Sequence, residues 1–238
     1  MKIALVGYGK MGKAIEQIAN NRGHEIVLKI TSSNKEDLNI DKLQQADVAI
    51  EFTSPESAKE NVLTCLQASV PVVCGSTGWN EGLQEAHEAT TIYKTAFLQA
   101  SNFSVGVNIF FEVNKQLAKL MDVHPEYNIT IEETHHTQKK DSPSGTAITL
   151  AEQILANMNR KTCWEKEQTN KPNCFPIKAH RIENVPGTHN IRYTSPIDDI
   201  EIIHTAHNRD GFAIGAVLAA EFIVDKKGVF AMKDVLGM

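Results

Sequence analysis

A glycine-rich turn stands at the start of the chain, between a segment with the pattern of a strand and one with the pattern of a helix. Lys2–Val6 is an apolar run of strand length, and Gly7-Tyr8-Gly9-Lys10-Met11-Gly12 follows it directly. Apolar residues then recur at helical spacing, at Met11, Ala14, Ile15, Ile18 and Ala19. This order is typical of the start of a βαβ unit, and it predicts a parallel sheet in this part of the chain.

The turn has the pattern GxGxxG, and each glycine answers a separate physical need. The first allows a tight turn, the second lets the backbone approach a pyrophosphate, and the third lets helix and strand pack closely. The N-terminus of the following helix offers N–H groups and positive potential to a phosphate. The pattern predicts a dinucleotide site at residues 7–12; a glycine turn without a ligand is the alternative.

Strand and helix patterns alternate through the first hundred residues. Gly23 is placed where the first helix would end, and Ser54-Pro55-Glu56 has the composition of a helix start. Predicted strands cover residues 2–6, 25–30, 46–52, 70–75 and 91–98. Such alternation indicates an α/β fold, a Rossmann-type parallel sheet covered by helices on both faces.

The pattern changes after about residue 102. A long helix is predicted over 105–121, with Ile109, Phe110, Val113, Leu117 and Leu120 on one side. A strand over 128–133, a helix over 147–158, a polar stretch over 159–173, several strands over 177–207 and a helix over 212–224 follow. Strands bunched together in this way predict a second, α+β domain with an open mixed sheet.

Composition excludes some classes of function. The net charge of −5 comes from both signs scattered along the chain, which argues against nucleic acid as a main partner. No apolar run approaches the roughly 18 residues of a membrane span. The four cysteines (Cys65, Cys74, Cys163, Cys174) have no CxxC spacing, so we expect free thiols and a cytoplasmic protein.

Residues 132–146 concentrate reactive side chains: two histidines, two lysines, an aspartate and a Ser-Gly-Thr helix start. Histidine exchanges protons near neutral pH, lysine attracts carboxylates, and a helix start binds anions. The segment therefore predicts a site for a substrate with several carboxylates that is protonated as it reacts. His135 and His136 would point to opposite faces of a strand, and no further ligand stands at metal spacing nearby, so we expect no metal.

The acid that often follows the second strand and binds the ribose hydroxyls is missing. That strand is followed by Thr31, Ser32 and Ser33, with Lys35 close by. The absence of negative charge makes a 2′-phosphate acceptable, so NADPH and NADH both remain open as cofactors.

The stretch ETHHTQKKDSPSGTA resembles the signature of the 4-hydroxy-tetrahydrodipicolinate reductases, E-x-H-H-x-x-K-x-D-[AS]-P-S-G-T-A. Blocks similar to the family cover nearly the whole chain in the same order: VGYGKMG, IEFTSPES, VVCGSTGW, SNFSVGVN, VPGTH, HNRDGFAIGAV and VFAMKDVLGM. The resemblance implies reduction of 4-hydroxy-tetrahydrodipicolinate to tetrahydrodipicolinate with NADPH or NADH, in diaminopimelate and lysine biosynthesis.

The resemblance also implies residue roles. His135 and Lys139 would be catalytic, with His135 as the proton donor, and the substrate would contact His136, Lys139, Ser144, Gly145 and Thr146. The cofactor would contact Gly7, Tyr8, Gly9, Lys10, Met11, Gly12, Thr31, Gly75, Ser76, Thr77, Ala100, Ser101, Asn102 and Phe103. Ser76 replaces a threonine usual in the family, and Thr31 stands where some members carry an acid. His180, His189, His204 and His207 are read as structural, with His180 and His189 near the substrate loop.

The implied organisation has a dinucleotide-binding domain at residues 1–104 and 209–238, and a substrate-binding and oligomerisation domain at residues 105–208. The chain would cross back at Arg209. The family's usual assembly predicts a homotetramer, with residues 200–207 in the interface. Two alternatives stay open: a related dehydrogenase of the aspartate semialdehyde or homoserine type, and a non-catalytic regulator that senses NADP.

Overall fold

The computed structural model describes residues 1–208 and 210–238, so the predicted crossing point at Arg209 lies outside the described residues. The chain divides into two compact units: unit 1, Met1–Val105 with Asp210–Met238, and unit 2, Gly106–Arg209. In the described part, no helix combines the length and the apolar composition needed to cross a membrane.

Unit 1 contains a six-stranded parallel sheet in the order β11-β5-β4-β3-β1-β2. Its strands are β1 (Lys2–Val6), β2 (Glu25–Ile30), β3 (Val48–Glu51), β4 (Val72–Cys74), β5 (Ala96–Gln99) and β11 (Gly228–Phe230). Its helices are α1 (Lys10–Asn21), α2 (Ile40–Leu43), α3 (Pro55–Gln67), α4 (Leu83–Ile92), α7 (Asp210–Ile223) and α8 (Met232–Leu236). The predicted Rossmann-type sheet is confirmed.

Alternate residues of the buried strands of unit 1 pack on opposite faces of the sheet. In β1, Ala4 and Val6 join the apolar core shared with α3 and α4, whereas Ile3 and Leu5 join the core shared with α1 and α7. A strand buried on both faces must be apolar throughout, which explains its uninterrupted apolar sequence.

One strand prediction in unit 1 placed the boundary too early. Thr91 and Ile92, predicted to begin a strand, lie in the last turn of α4, and β5 begins at Ala96. The helix extends this far because Ala86, Ala89 and Thr90 are buried at helical spacing on the sheet.

Unit 2 contains a five-stranded mixed sheet in the order β10-β9-β6-β8-β7. Its strands are β6 (Asn128–His135), β7 (Cys163–Lys166), β8 (Cys174–Arg181), β9 (Gly187–Thr194) and β10 (Asp199–Ala206), and its helices are α5 (Val105–Met121) and α6 (Gly145–Asn157). The strand pairs β6–β9 and β9–β10 are antiparallel, while β6–β8 and β7–β8 are parallel. The predicted mixed sheet is confirmed.

The polar stretch 159–173 of unit 2 differs from expectation. It contains β7, whose Cys163 lies opposite Cys174 of β8, and the two cysteines form a disulfide. The expectation of four free thiols is therefore wrong for this pair and right for the buried Cys65 and Cys74.

The buried face of α5 also differs from the apolar stripe read in its sequence. The helix buries Val107, Phe110, Asn114, Ala118 and Met121. Three residues of the predicted stripe, Ile109, Val113 and Leu120, are exposed instead. Only Phe110 belongs to both sets, so the buried face is rotated from the one that hydrophobicity alone marks.

Candidate active site

The glycine loop joins β1 to α1 in unit 1, at the carboxyl edge of the parallel sheet. Gly7 has a φ of +99°, and a Cβ there would lie 2.1 Å from the Phe52 carbonyl oxygen. A Cβ at Gly12 would lie 2.6 Å from the Gly7 carbonyl oxygen. A Cβ at Gly9 would instead meet no atom within 4 Å. The loop is thus closely packed on the protein side and open where a pyrophosphate would approach.

A cleft of about 500 Å³ runs along the carboxyl edge of the unit 1 sheet. Its lining combines Gly7, Tyr8 and Gly9 with residues that follow β2 and β3 and with one side of α3. A second cleft of about 440 Å³ is lined by Gly9, Lys10, Met11, residues 52–55 and residues 75–77. Both lie at the point where the strand order reverses between β1 and β3, which is the usual nucleotide position in such sheets.

The cofactor residues implied by the resemblance divide among three places. Thr31 lines the first cleft, and Gly75, Ser76 and Thr77 line the second. Residues 100–103 follow β5 at the same edge, with the Phe103 ring 5.6 Å from the Phe52 ring.

A buried carboxylate, Glu51, joins two of the loops at this edge. Its Oε1 accepts hydrogen bonds from the Thr53 amide at 3.0 Å and from the Ser76 hydroxyl at 3.2 Å. The Ser76 hydroxyl oxygen also accepts a hydrogen bond from the Thr53 amide at 2.9 Å. Serine at position 76 therefore supplies the hydroxyl that holds the two loops together.

Sequence reasoning missed Thr53 and Ser57, which line the first cleft beside the predicted loop. A signal was available, because the carboxyl ends of parallel strands meet at one edge of a sheet. Residues directly after each predicted strand are thus candidates for the site.

In unit 2, His135 is the last residue of β6 and is only 8% exposed. Alternation along β6 places it on the same buried face as Ile129, Ile131 and Glu133. A carboxylate and an imidazole thus follow two isoleucines into the interior of unit 2.

Glu133 is fully buried and contacts four polar groups. Its Oε1 accepts a hydrogen bond from the Ser144 amide at 3.0 Å and from the Arg181 guanidinium at 3.3 and 3.4 Å. Its Oε2 lies 3.4 Å from His135 Nδ1 and 3.7 Å from His189 Nε2. Neither Oε2 nor His135 Nδ1 has a hydrogen-bond partner among the described residues.

Burial is the main influence on both histidines. It lowers the pKa of His135, and the charges of Lys139 and Arg181 lower it further, while Glu133 and Asp141 oppose the shift. Burial, together with the neighbouring His135, lowers the pKa of His189 to about 3. His189 is therefore neutral at physiological pH.

Lys139 lies in the loop after β6, where its Nζ is 2.9 Å from the Asp141 carboxylate. The loop is anchored at two carbonyl oxygens: Arg181 donates to that of Asp141 at 2.6 Å, and Lys166 to that of Ser142 at 2.6 Å. The cation thus sits on a segment held to the sheet at both β7 and β8.

The loop leads into α6, whose first turn the sequence marked as an anion site. Ser144 is the N-cap, and its Oγ accepts a hydrogen bond from the Ala147 amide at 3.2 Å. Gly145 is exposed and Thr146 half-buried, so both are accessible. The amide groups of a first helical turn lack intrahelical partners, which suits them to a carboxylate.

The remaining histidines lie in different surroundings. His136 lines a third cleft of about 380 Å³ with Thr137, Gln138, residues 183–186 and Asn208. His180 and His207 are exposed, and the His204 ring packs 5.9 Å from Phe110. His189 joins the Glu133 cluster, a contact between strands that the sequence does not reveal.

Glu133, His135 and His189 place one potential metal-ligand atom each within 4.8 Å of one another. A cation there would have to share Glu133 with the guanidinium of Arg181, which already contacts Oε1.

A glycine loop with clefts at the carboxyl edge of a parallel sheet, as in unit 1, is typical of nucleotide-dependent oxidoreductases. Two family models match the chain: "Dihydrodipicolinate reductase, N-terminus" over residues 1–103 and "Dihydrodipicolinate reductase, C-terminus" over residues 106–236. The chain belongs to the dihydrodipicolinate reductase family.

Known proteins of this family are similar to the chain along nearly its whole length. The chain is 51% identical over 237 residues to the 4-hydroxy-tetrahydrodipicolinate reductase of Christiangramia forsetii, covering 99% of this chain and 98% of that protein. It is 31% identical to the reductase of Neisseria gonorrhoeae over 266 positions, covering 100% and 98%. A dipicolinate-bound dihydrodipicolinate reductase from Paenisporosarcina sp. TG-14 has a TM-score of 0.78 at 25% identity, covering 97% of each chain.

The chain is accordingly an oxidoreductase that reduces 4-hydroxy-tetrahydrodipicolinate in diaminopimelate and lysine biosynthesis. This decides against the two alternatives, a dehydrogenase for another amino-acid precursor and a non-catalytic regulator. It also confirms the family resemblance read from the sequence.

Proposed function

We propose that His135 is the proton donor of this reduction and that Lys139 is its second catalytic residue. The observation that carries the proposal is the position of His135, buried against Glu133 in the same cluster as the first residues of α6. The reaction removes water from the substrate ring and adds a hydride and a proton. His135 would deliver that proton to the ring carbon, and Lys139 would offset the negative charge of the substrate.

The substrate is a dicarboxylate, and the residues for it are those of the β6–α6 segment. Amide groups at Gly145 and Thr146 would receive one carboxylate beside Ser144, whose own amide donates to Glu133. Lys139 and His136 would contribute further polar contacts. The relative from Paenisporosarcina, whose structure holds dipicolinate, supports a planar ring dicarboxylate as the ligand class.

Residues of unit 1 would hold the nicotinamide dinucleotide, which supplies a hydride from C4 of its reduced ring. Gly7–Gly12 would receive the pyrophosphate at the start of α1, where the open side of Gly9 leaves room for it. Thr31 would face the ribose. Residues 75–77 and 100–103 would contact the nicotinamide at the carboxyl edge of the unit 1 sheet.

We further propose that NADPH is accepted. Thr31, Ser32 and Lys35 line the first cleft, and no acid follows β2 before residue 36. A 2′-phosphate beside Thr31 would meet hydroxyl groups and a lysine, while Glu60, the carboxylate that also lines this cleft, belongs to α3.

The proposal includes a homotetramer assembled through the sheet of unit 2. The strand β10 is an edge strand with the apolar side chains Ile200 and Ile203 exposed, as expected of a strand that meets another copy. Light scattering coupled to gel filtration would report a mass near four chains; a monomer would contradict this part.

The deciding experiment follows oxidation of the nicotinamide by absorbance. The substrate is made in situ from pyruvate and aspartate semialdehyde by the preceding synthase, and NADH and NADPH are run in parallel. Wild type should oxidise the cofactor only with the synthase present. His135→Gln and Lys139→Ala should each lose about 10²-fold or more in kcat, while Lys140→Ala, a neighbouring exposed lysine, should keep it. Full activity in His135→Gln would refute the assignment of the proton donor.

A further inference from the structure

We propose that Glu133 is a positioning residue for His135: its carboxylate fixes the Nδ1 side of the imidazole and stabilises the protonated ring. The proposal rests on His135 being the proton donor. It adds a fully buried residue of β6 to the assignment of His135.

The first argument is the pair of unsatisfied atoms. Glu133 Oε2 and His135 Nδ1 are both buried, both lack a hydrogen-bond partner among the described residues, and lie 3.4 Å apart. Leaving two buried polar atoms unpaired is costly, so the partner that each requires is the other. A shift of a few tenths of an ångström closes an N–H···O hydrogen bond between them.

The second argument concerns the proton's location on the ring. A proton held on Nδ1 by Glu133 leaves Nε2 as the nitrogen that exchanges with the substrate. The Nε2 edge faces Gly187, where a Cβ would lie 3.1 Å away. Because residue 187 is glycine, it places no side chain against that edge of the imidazole.

The third argument is how the carboxylate itself is held. The Oε1 atom accepts hydrogen bonds from the Arg181 guanidinium and from the Ser144 amide. Arg181 also donates a hydrogen bond to the carbonyl oxygen of Asp141. One carboxylate thus orients the proton donor through Oε2 and the start of α6 through Oε1.

The charged groups around His135 act on its pKa with opposite signs, while His204 acts on His189 instead. Glu133 and Asp141 favour its protonated form, while Lys139 and Arg181 disfavour it. His189, whose Nε2 lies 3.2 Å from the Ser144 hydroxyl, is neutral and adds no charge. Among the groups beside His135, Glu133 is the negative charge that is fully buried.

The proton balance needs no further reactant. Protonated His135 gives its Nε2 proton to the substrate carbon. The neutral ring keeps the proton on Nδ1, which donates a hydrogen bond to the Glu133 carboxylate. The solvent proton that the net reaction consumes is taken up at Nε2 after product leaves. Glu133 neither gains nor loses a proton in the cycle.

The test compares Glu133→Gln with Glu132→Gln. Glu132 is the neighbouring acid on the opposite face of β6, half-exposed and 3.1 Å from Lys178, so it serves as a matched control. With Glu133→Gln we expect kcat to fall by about 10²-fold or more while KM for NADPH is unchanged. The alkaline limb of the kcat profile should move to lower pH by about one unit or more. Glu132→Gln should match wild type in kcat, in KM for NADPH and in the position of the alkaline limb.

A direct readout is the pKa of His135 itself, measured by NMR on protein with ¹³C-labelled histidine, with His135→Gln identifying the signal. Glu133→Gln should lower that pKa by about one unit or more. An unchanged pKa together with a reduced kcat would overturn the proposal and leave Glu133 a packing residue. Because this titration needs no substrate, it also separates this proposal from a failure of the proposed function.

Should Glu133→Gln not fold, Arg181→Gln provides a test of opposite sign. Loss of the cation beside the carboxylate should raise the pKa of His135 and move the alkaline limb to higher pH. No movement in either direction would overturn the proposal.

Discussion

The Nε2 atom of His189 on β9 lies 3.2 Å from the hydroxyl of Ser144, the residue that caps α6. The same histidine lies opposite Glu133 in the register of β6 and β9. A residue far along the chain thus contacts both the acid and the helix start of the candidate site.

Burial of His189 gives unit 2 a pH-dependent stability. Its folded pKa of about 3 lies below the unfolded value near 6.5, so the unfolded state binds more protons between these values. The free energy of unfolding therefore falls as pH falls through this window, by about 3 kcal/mol between pH 7 and pH 4. Urea unfolding of wild type and His189→Gln at both pH values should show this loss in wild type only. An equal loss in both proteins would mean that other groups cause it.

Gly187 makes room for the His135 ring, so Gly187→Ala should impair catalysis without affecting nucleotide binding. A Cβ there would lie 3.1 Å from Nε2 and 3.2 Å from Cδ2 of His135 and displace the ring. We expect kcat to fall by about tenfold or more, with the Kd of NADPH unchanged. Thr188→Ala, the next residue in the strand, should retain kcat; a Gly187→Ala enzyme with normal kcat would contradict this account of the ring's position.

Period-2 and period-3.6 patterns predicted most of the strands and helices, because burial on one or two faces determines where apolar residues fall. These patterns are least informative where a disulfide or a buried hydrogen bond, rather than apolar burial alone, determines the structure. The strand β7 is short and polar and lies at a sheet edge, with Cys163 covalently linked to Cys174. On α5 the buried face includes Asn114, whose amide donates to the Leu150 carbonyl, so hydrophobicity alone marks the wrong side.

The candidate site was predicted in its local parts and not in its long-range contacts. Residues 132–146 are contiguous, and the alternation that buries Glu133 with His135 can be read from the sequence. Arg181 is 48 positions from Glu133, and His189 is 45 positions from Ser144. Their approach depends on the order β9-β6-β8, which periodicity does not determine.

Two alanine substitutions in the glycine loop should separate folding from cofactor binding. Gly7→Ala places a Cβ 2.1 Å from the Phe52 carbonyl at a φ of +99°, so it should destabilise the protein by about 1–3 kcal/mol and weaken NADPH binding. Gly9→Ala meets no protein atom within 4 Å, so it should leave Tm unchanged and still weaken NADPH binding by about tenfold. Calorimetry and fluorescence titration measure the two effects. Undiminished NADPH affinity in Gly9→Ala would place the pyrophosphate elsewhere.

Lys35 is the lysine through which the first cleft would distinguish the two cofactors. It lines the cleft beside Thr31 and Ser32, where the 2′-phosphate of NADPH would lie. Lys35→Glu replaces attraction by repulsion, and we expect kcat/KM for NADPH to fall by about tenfold relative to NADH, equivalent to about 1.4 kcal/mol. Lys227→Glu makes the same charge change at an exposed position before β11 and should leave the ratio unchanged. Equal ratios in both variants would show that the phosphate, if bound, is recognised by other residues.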